Sequence, residues 1–249
     1  QGSFQDVCIC SLLTRIMWSF VVASLLLPCL ASDISYEPRL WNDDKLLRYS
    51  HNCYMYALND IDTLNVGECK KKVKAGETLS KCKKFFHCPG YSAQERKPAP
   101  WKMKRNKRSE YSCGRVVDLI RSDNSEVLKF VNREGNPLQQ DDQCEASSYM
   151  AAVVIEPKYA YHFYRRDHKC RSPQNLDKAC WSHKPGMRNV TRFDSKKKEI
   201  ADLEVASRQY RSADGRRGTY TTICAYFCVP DNSVVMTQSS SFTPHTISM

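Results

Sequence analysis

A cysteine at the start of a helix, an imidazole on a strand and a further polar group on the next strand are the parts of a nucleophile, a base and an orienting residue. The chain offers those parts in that order. Cys53 stands in HNCYMYALND (51–60), at the head of a short helix-like stretch in which Tyr54, Ala57 and Leu58 can pack inward. A helix N-terminus with an imidazole nearby stabilises a thiolate. His162 lies in YAYHFYRRD (159–167), where the two-residue period of a strand puts it on the face of Tyr164 and opposite Phe163. His183 follows in CWSHKPG (180–186), after a loop (170–179) that returns the chain beside that strand. Each residue also has a plain structural reading. Cys53 is then one half of a disulfide, His162 a hydrogen-bonded core histidine between aromatics, and His183 a turn histidine beside Pro185-Gly186.

The elements that would position these residues are of both kinds. Residues 33–50 read as a short lead-in and 51–59 as a short helix. Residues 61–110 read as irregular, lysine-rich and cysteine-studded, ending in the loop ERKPAPWK. A second helix is expected over 113–123, because Val116, Val117 and Ile120 share a face. The β-branched and aromatic runs YMAAVVIE (149–156), YAYHFYRRD and GTYTTICAYFCVP (218–230) read as strands. Pro157-Lys158 makes a turn that closes 149–167 into a hairpin. The expected class is α+β: one domain over 33–230 with a basic insertion at about 66–110, then a polar, Ser-rich tail (231–249) of disordered composition.

Compartment follows from the N-terminal region and the cysteines. MWSFVVASLLLPCLAS, opened by Met17, has a signal-peptide core ending in small residues, although no positive charge precedes the core within it. Residues 17–32 are therefore expected to be removed, and 1–16 to be leader from an incomplete transcript. The apolar run is shorter than the roughly 20 residues of a membrane span. Of thirteen cysteines, Cys8, Cys10 and Cys29 precede the cleavage point. The ten that remain are an even, dense set that suits an oxidising compartment. Cys170 with Cys180, and Cys82 with Cys88, are the expected local bridges. Cys224 and Cys228, about 13 Å apart on a strand at about 3.3 Å per residue, must each find another partner. CKKFFHC (82–88) and HKCRSPQNLDKACWSH (168–183) contain zinc-type donors, but disulfides are the expected use. No metal and no cofactor is expected.

The net charge is +11 and is concentrated in residues 68–110. A basic face on a secreted chain attracts anionic matrix polymers or acidic polysaccharides. Few aromatics interleave with these charges, so a stacking platform for nucleic acid is not indicated. Asn189-Val190-Thr191 is an N-glycosylation sequon. Arg105-Asn106-Lys107-Arg108 matches the pattern cut by furin-type proteases, with cleavage after Arg108.

The blocks HNCYMYALN, YHFYRRD, WSHKPGMRNVTRFDS and YTTICAYFCVP, in this order, resemble a little-characterised, mostly bacterial family carrying N-C-Y-x-Y-A-L, Y-H-W-Y-R-Q-D and W-S-H-K-P-G. That order is similar to papain-like amidases and peptidases of the cell-wall-hydrolase type. The resemblance spans roughly 50–60 and 145–230 and leaves the lysine-rich segment without a counterpart. It implies a small papain-like domain whose Cys-bearing helix packs on an antiparallel sheet, with Cys53 as nucleophile, His162 as base and His183 as third member. By composition alone, a basic, cysteine-rich secreted chain with a Ser-rich tail also resembles mollusc shell organic matrix proteins. Two functions are therefore expected as alternatives. One is a disulfide-rich extracellular matrix component, with intermolecular cross-links among its options. The other is an active cysteine amidase or peptidase.

Overall fold

Residues 148–156, SYMAAVVIE, alternate too little to leave one face to water, which is the pattern of a strand covered on both sides. The computed structural model describes residues 34–91, 111–124, 127–157, 159–168, 170, 179–211 and 217–231. The strands, in chain order, are β1 (Ser148–Glu156), β2 (Ala160–Asp167), β3 (Cys180–Ser182), β4 (Gln209–Arg211), β5 (Arg217–Thr219) and β6 (Thr222–Pro230). The main sheet is antiparallel in the order β3-β2-β1-β6, so β1 is interior, and β4 and β5 form a separate ribbon. The hairpin expected over 149–167 is present, with Val154 opposite His162. The strand expected over 218–230 is divided between β5 and β6. β6 also slips register against β1 at Val153/Val154, and Cys224 is the extra residue there.

The helices are α1 (Pro38–Asn42), α2 (Lys45–Ser50), α3 (Cys53–Ala57), α4 (Thr63–Lys74), a 3-10 helix (Leu79–Phe85) and α5 (Cys113–Asp123). Helix α5 has the bounds its periodicity predicted, and buries Val116, Val117 and Ile120. Two expectations are corrected. The lead-in 33–50 contains α1 and α2. Asp44 caps α2 by accepting from the Leu46 and Leu47 amides, and Trp41 and Leu47 pack with Tyr56 and Val190. Helices this short are made by caps and burial, not by periodicity. The stretch read as irregular from 61 onward contains α4, capped by Asp62 accepting from the Leu64 and Asn65 amides. Its outward face is lysine, so no apolar stripe marks it in the sequence.

One apolar cluster lies between the helices and the main sheet. It holds Cys53, Tyr54, Val116 and Ile120 from helices against Tyr149, Ala151, Val153, Phe163 and Phe227 from strands. A second covers the other face, with Met150, Ala152, Val154, Tyr164, Trp181 and Tyr226 meeting Leu138, Ile200 and Leu203. Odd positions of β1 thus face the helices and even positions face the loops.

Disulfides join Cys69–Cys82, Cys113–Cys224, Cys144–Cys228 and Cys170–Cys180. The Cys170–Cys180 bridge matches expectation, and Cys224 and Cys228 each find distant partners. The Cys82–Cys88 pairing is corrected: Cys82 bonds Cys69 across α4 and the 3-10 helix, and Cys88 carries no bridge. No helix among the described residues is long and apolar enough to cross a membrane. The expected signal segment, the expected processing site at Arg108 and the tail beyond Asp231 lie outside the described residues.

Candidate functional site

Helix α3 begins because the Asn52 side chain caps it, accepting from the Met55 amide at 3.1 Å. Cys53 is therefore at the helix start, as its spacing predicted. It is buried against the helix-facing side of β2, where the Phe163 backbone hydrogen-bonds its thiol. Burial pushes that thiol up to about 12, against the opposing pull of the Phe163 backbone and of Lys184.

His162 points to the opposite side. Its ring lies among those of Tyr164, Tyr210 and Tyr220, and its Nε2 is 2.8 Å from His183 Nδ1. The tautomers follow from the partners. His183 Nε2 is 3.2 Å from the Phe193 carbonyl, which can only accept, so Nε2 carries the proton. His183 Nδ1 then accepts, and His162 Nε2 donates to it. Burial lowers His183 to about 4, and burial together with the His183 ring lowers His162 well below the ordinary imidazole value. Both rings are neutral near pH 7. The structure thus brings His162 and His183 together and leaves Cys53 on the other face of the sheet, so the three-residue layout drawn from the sequence is not assembled.

His183 also floors a cleft of about 770 Å³ lined by Arg188, Asn189, Phe193, Asp194, Lys197, Gln209 and Tyr210 among others. A polar chain runs from this floor inward, with Tyr210 Oη 3.4 Å from His183 Nε2 and 3.2 Å from Tyr164 Oη. Asp194 is occupied in shaping the rim, accepting from the amides of Lys196, Lys198 and Ser207 at 2.8–3.0 Å. Burial works against its charge, but these donors hold its carboxyl below the usual range. The sequon residue Asn189 is exposed at this rim, with its Oδ1 accepting from Arg48 at 2.8 Å.

The blocks that carry the sequence resemblance build a buried polar lattice that the sequence reading missed. Arg165 Nε donates to Asp167 Oδ1 at 2.8 Å, and the guanidinium lies 4.3 Å over the Tyr56 ring. Ser182 Oγ donates to Asp167 Oδ2 and meets Tyr56 Oη at 2.6 Å, so β2, β3 and α3 are locked at one point. Lys184, fully buried, donates to the carbonyls of Arg48 and His51 at 2.7 Å and to that of Gly186. Burial lowers this ammonium to about 7, with Cys53 nearby pulling the other way. Charged residues inside an aromatic strand, as in YRRD, were the available signal. Of zinc-type groupings among the described residues, Asp167, Cys170 and Cys180 lie together, but the two thiols are spent on a disulfide.

The lysine-rich insertion presents an ordered basic plate. Lys70, Lys71, Lys74, Lys81, Lys83 and Lys84 are exposed on α4 and the 3-10 helix, which Cys69–Cys82 clamps together. Glu68 pairs with Lys71 and Glu77 with Lys72, each at 2.6 Å. Comparison with protein-family models, with curated proteins and with solved structures finds no match.

Proposed function

We propose that this chain is a secreted, disulfide-braced extracellular matrix component whose basic plate holds anionic polymers, and that it does not work as a cysteine hydrolase. The observation that carries this reading is the main sheet standing between Cys53 and the His162–His183 pair. A cysteine nucleophile needs an imidazole in reach and a lowered thiol pKa. Cys53 has a raised one. Four disulfides and a buried ionic lattice instead favour a rigid body that survives outside the cell. The lysines of α4 and the 3-10 helix, displayed on a clamped scaffold, suit sulfated or carboxylated polysaccharide.

The test is a paired assay on the secreted protein. Retention on immobilised acidic polysaccharide is expected at low salt and should vanish near 1 M, where the screening length is about 3 Å. Replacing Lys70, Lys71, Lys81 and Lys83 by Glu should abolish it. Turnover of peptide or cell-wall amide substrates that disappears in Cys53→Ala would overturn the proposal.

A further inference from the structure

We infer that Cys53 and Cys88 are the two halves of a fifth, interior disulfide in the mature oxidised protein. The inference rests on the reading of the chain as secreted. Ten cysteines follow residue 32, and eight of them are paired. The two left over, Cys53 and Cys88, are neighbours in space although far apart in sequence.

Three anchors bring them together. Asn52, one residue before Cys53, donates through Nδ2 to the carbonyl of His87, one residue before Cys88, at 2.7 Å. The His87 amide donates to Met55 Sδ at 3.4 Å, on the same helix as Cys53. On the far side of Cys88, the Gly90 amide donates to Asp123 Oδ2 at 2.7 Å, and Tyr54 Oη donates to the same oxygen at 3.1 Å. The segment 87–90 is thus laid along α3. Both thiols also meet β2 within two residues of each other, Cys53 at the Phe163 backbone and Cys88 at the Tyr161 side chain. Two residues of strand span roughly 6.6 Å, so both thiols meet one short stretch of β2.

The chemistry is a thiol–disulfide exchange with a disulfide donor of the secretory compartment. Two S–H bonds break and one S–S bond forms. The two protons and two electrons pass to the donor, which leaves as two thiols. Burial raises both thiols of the folded chain, so exchange belongs to folding, before the core closes over Cys53. Once formed, the bridge would tie the basic insertion to the sheet-facing helix and consume the cysteine at the start of α3.

The experiment is bridge mapping of the full secreted chain, blocked with N-ethylmaleimide under denaturing conditions without reductant, then digested and read by mass spectrometry. The expected result is a linked peptide pair containing Cys53 and Cys88, with no maleimide on either. In Cys88→Ser, and separately in Cys53→Ser, one cysteine should become labelled, and in the double variant none. If either single variant is not secreted, the wild-type map alone decides. Maleimide on both Cys53 and Cys88, or either one linked elsewhere, overturns the pair. Free thiols with no amide hydrolysis would sink the fifth bridge but leave the scaffold reading standing. Free thiols with hydrolysis that depends on Cys53 would remove both.

Discussion

Replacing Asp167 by Ala tests whether the buried lattice, and not a catalytic constellation, is what the sequence blocks encode. Asp167 is fully buried and Arg165 is 2% exposed, so the guanidinium depends on this carboxylate for its Nε partner. Removing one member of a buried ion pair costs about 3–5 kcal/mol, because the other charge stays desolvated. Arg165 would keep Asn59 Oδ1 at 3.2 Å and the Tyr56 ring, and Ser182 would keep Tyr56 Oη. The lower end of the range, about 3 kcal/mol, is therefore expected. With a urea slope of about 2 kcal/mol/M, that is a fall in midpoint of about 1.5 M. Urea unfolding followed by tryptophan fluorescence reads it directly, since Trp181 sits between Cys180 and Ser182 in β3. Arg165→Met in the Asp167→Ala background should recover part of the loss, giving a coupling of about 2 kcal/mol. A midpoint shift under about 0.5 M, or strict additivity, would refute the reasoning.

Lys184→Met leaves three carbonyls, one buried and two partly so, without their shared donor and should cost about 3 kcal/mol in the same unfolding assay. The Cys113–Cys224 bridge closes 111 residues and Cys170–Cys180 only 10, so serine pairs at the first should cost about 5 kcal/mol against about 3 at the second. Stability should also fall as the pH drops from about 6.5 to 4. Burial holds His51 at about 3 and His183 at about 4, and lowers His162 as well. The unfolded chain then binds protons that the folded chain refuses, with a slope of up to about 1.4 kcal/mol per pH unit for each histidine. His87 runs the other way. Burial lowers it, but Asp60 and Asp62 together raise it, so its contribution is present below its unfolded value and fades as the pH rises through the raised one. A flat urea midpoint between pH 6.5 and 4 would contradict the neutral burial of the other three.

Where period or side-chain type points to one element, the sequence was enough. α5 is legible because CGRVVDLIRSD spaces its apolar residues at a helical period, and β1 and β2 because YMAAVVIE and YAYHFYRRD are rich in β-branched and aromatic residues. α1, α2 and α4 were not legible, since their ends are set by Asp44 and Asp62 and by distant contacts such as Trp41 with Tyr56. The site failed at one identifiable step. Strand period correctly set His162 opposite Phe163, but nothing local told which face of β2 the helix of Cys53 would cover. It covers the Phe163 face, as the contact of Tyr54 with Phe163 at 4.8 Å shows. The meeting of His162 with His183 follows from the loop return beside β2, which the spacing suggested, although His183 also read as a turn histidine. The role of Arg165, Asp167 and Ser182 was hidden because adjacent charges at a strand end read as exposed until their partner strand is known.

The central claim, that Cys53 is not a nucleophile, is tested most directly by incubating the native, oxidised protein with an epoxide electrophile directed at cysteine hydrolases and reading its intact mass over time. The account predicts no adduct until the protein is unfolded and reduced. A one-to-one adduct on Cys53 in the native state, lost in His162→Ala, would contradict it.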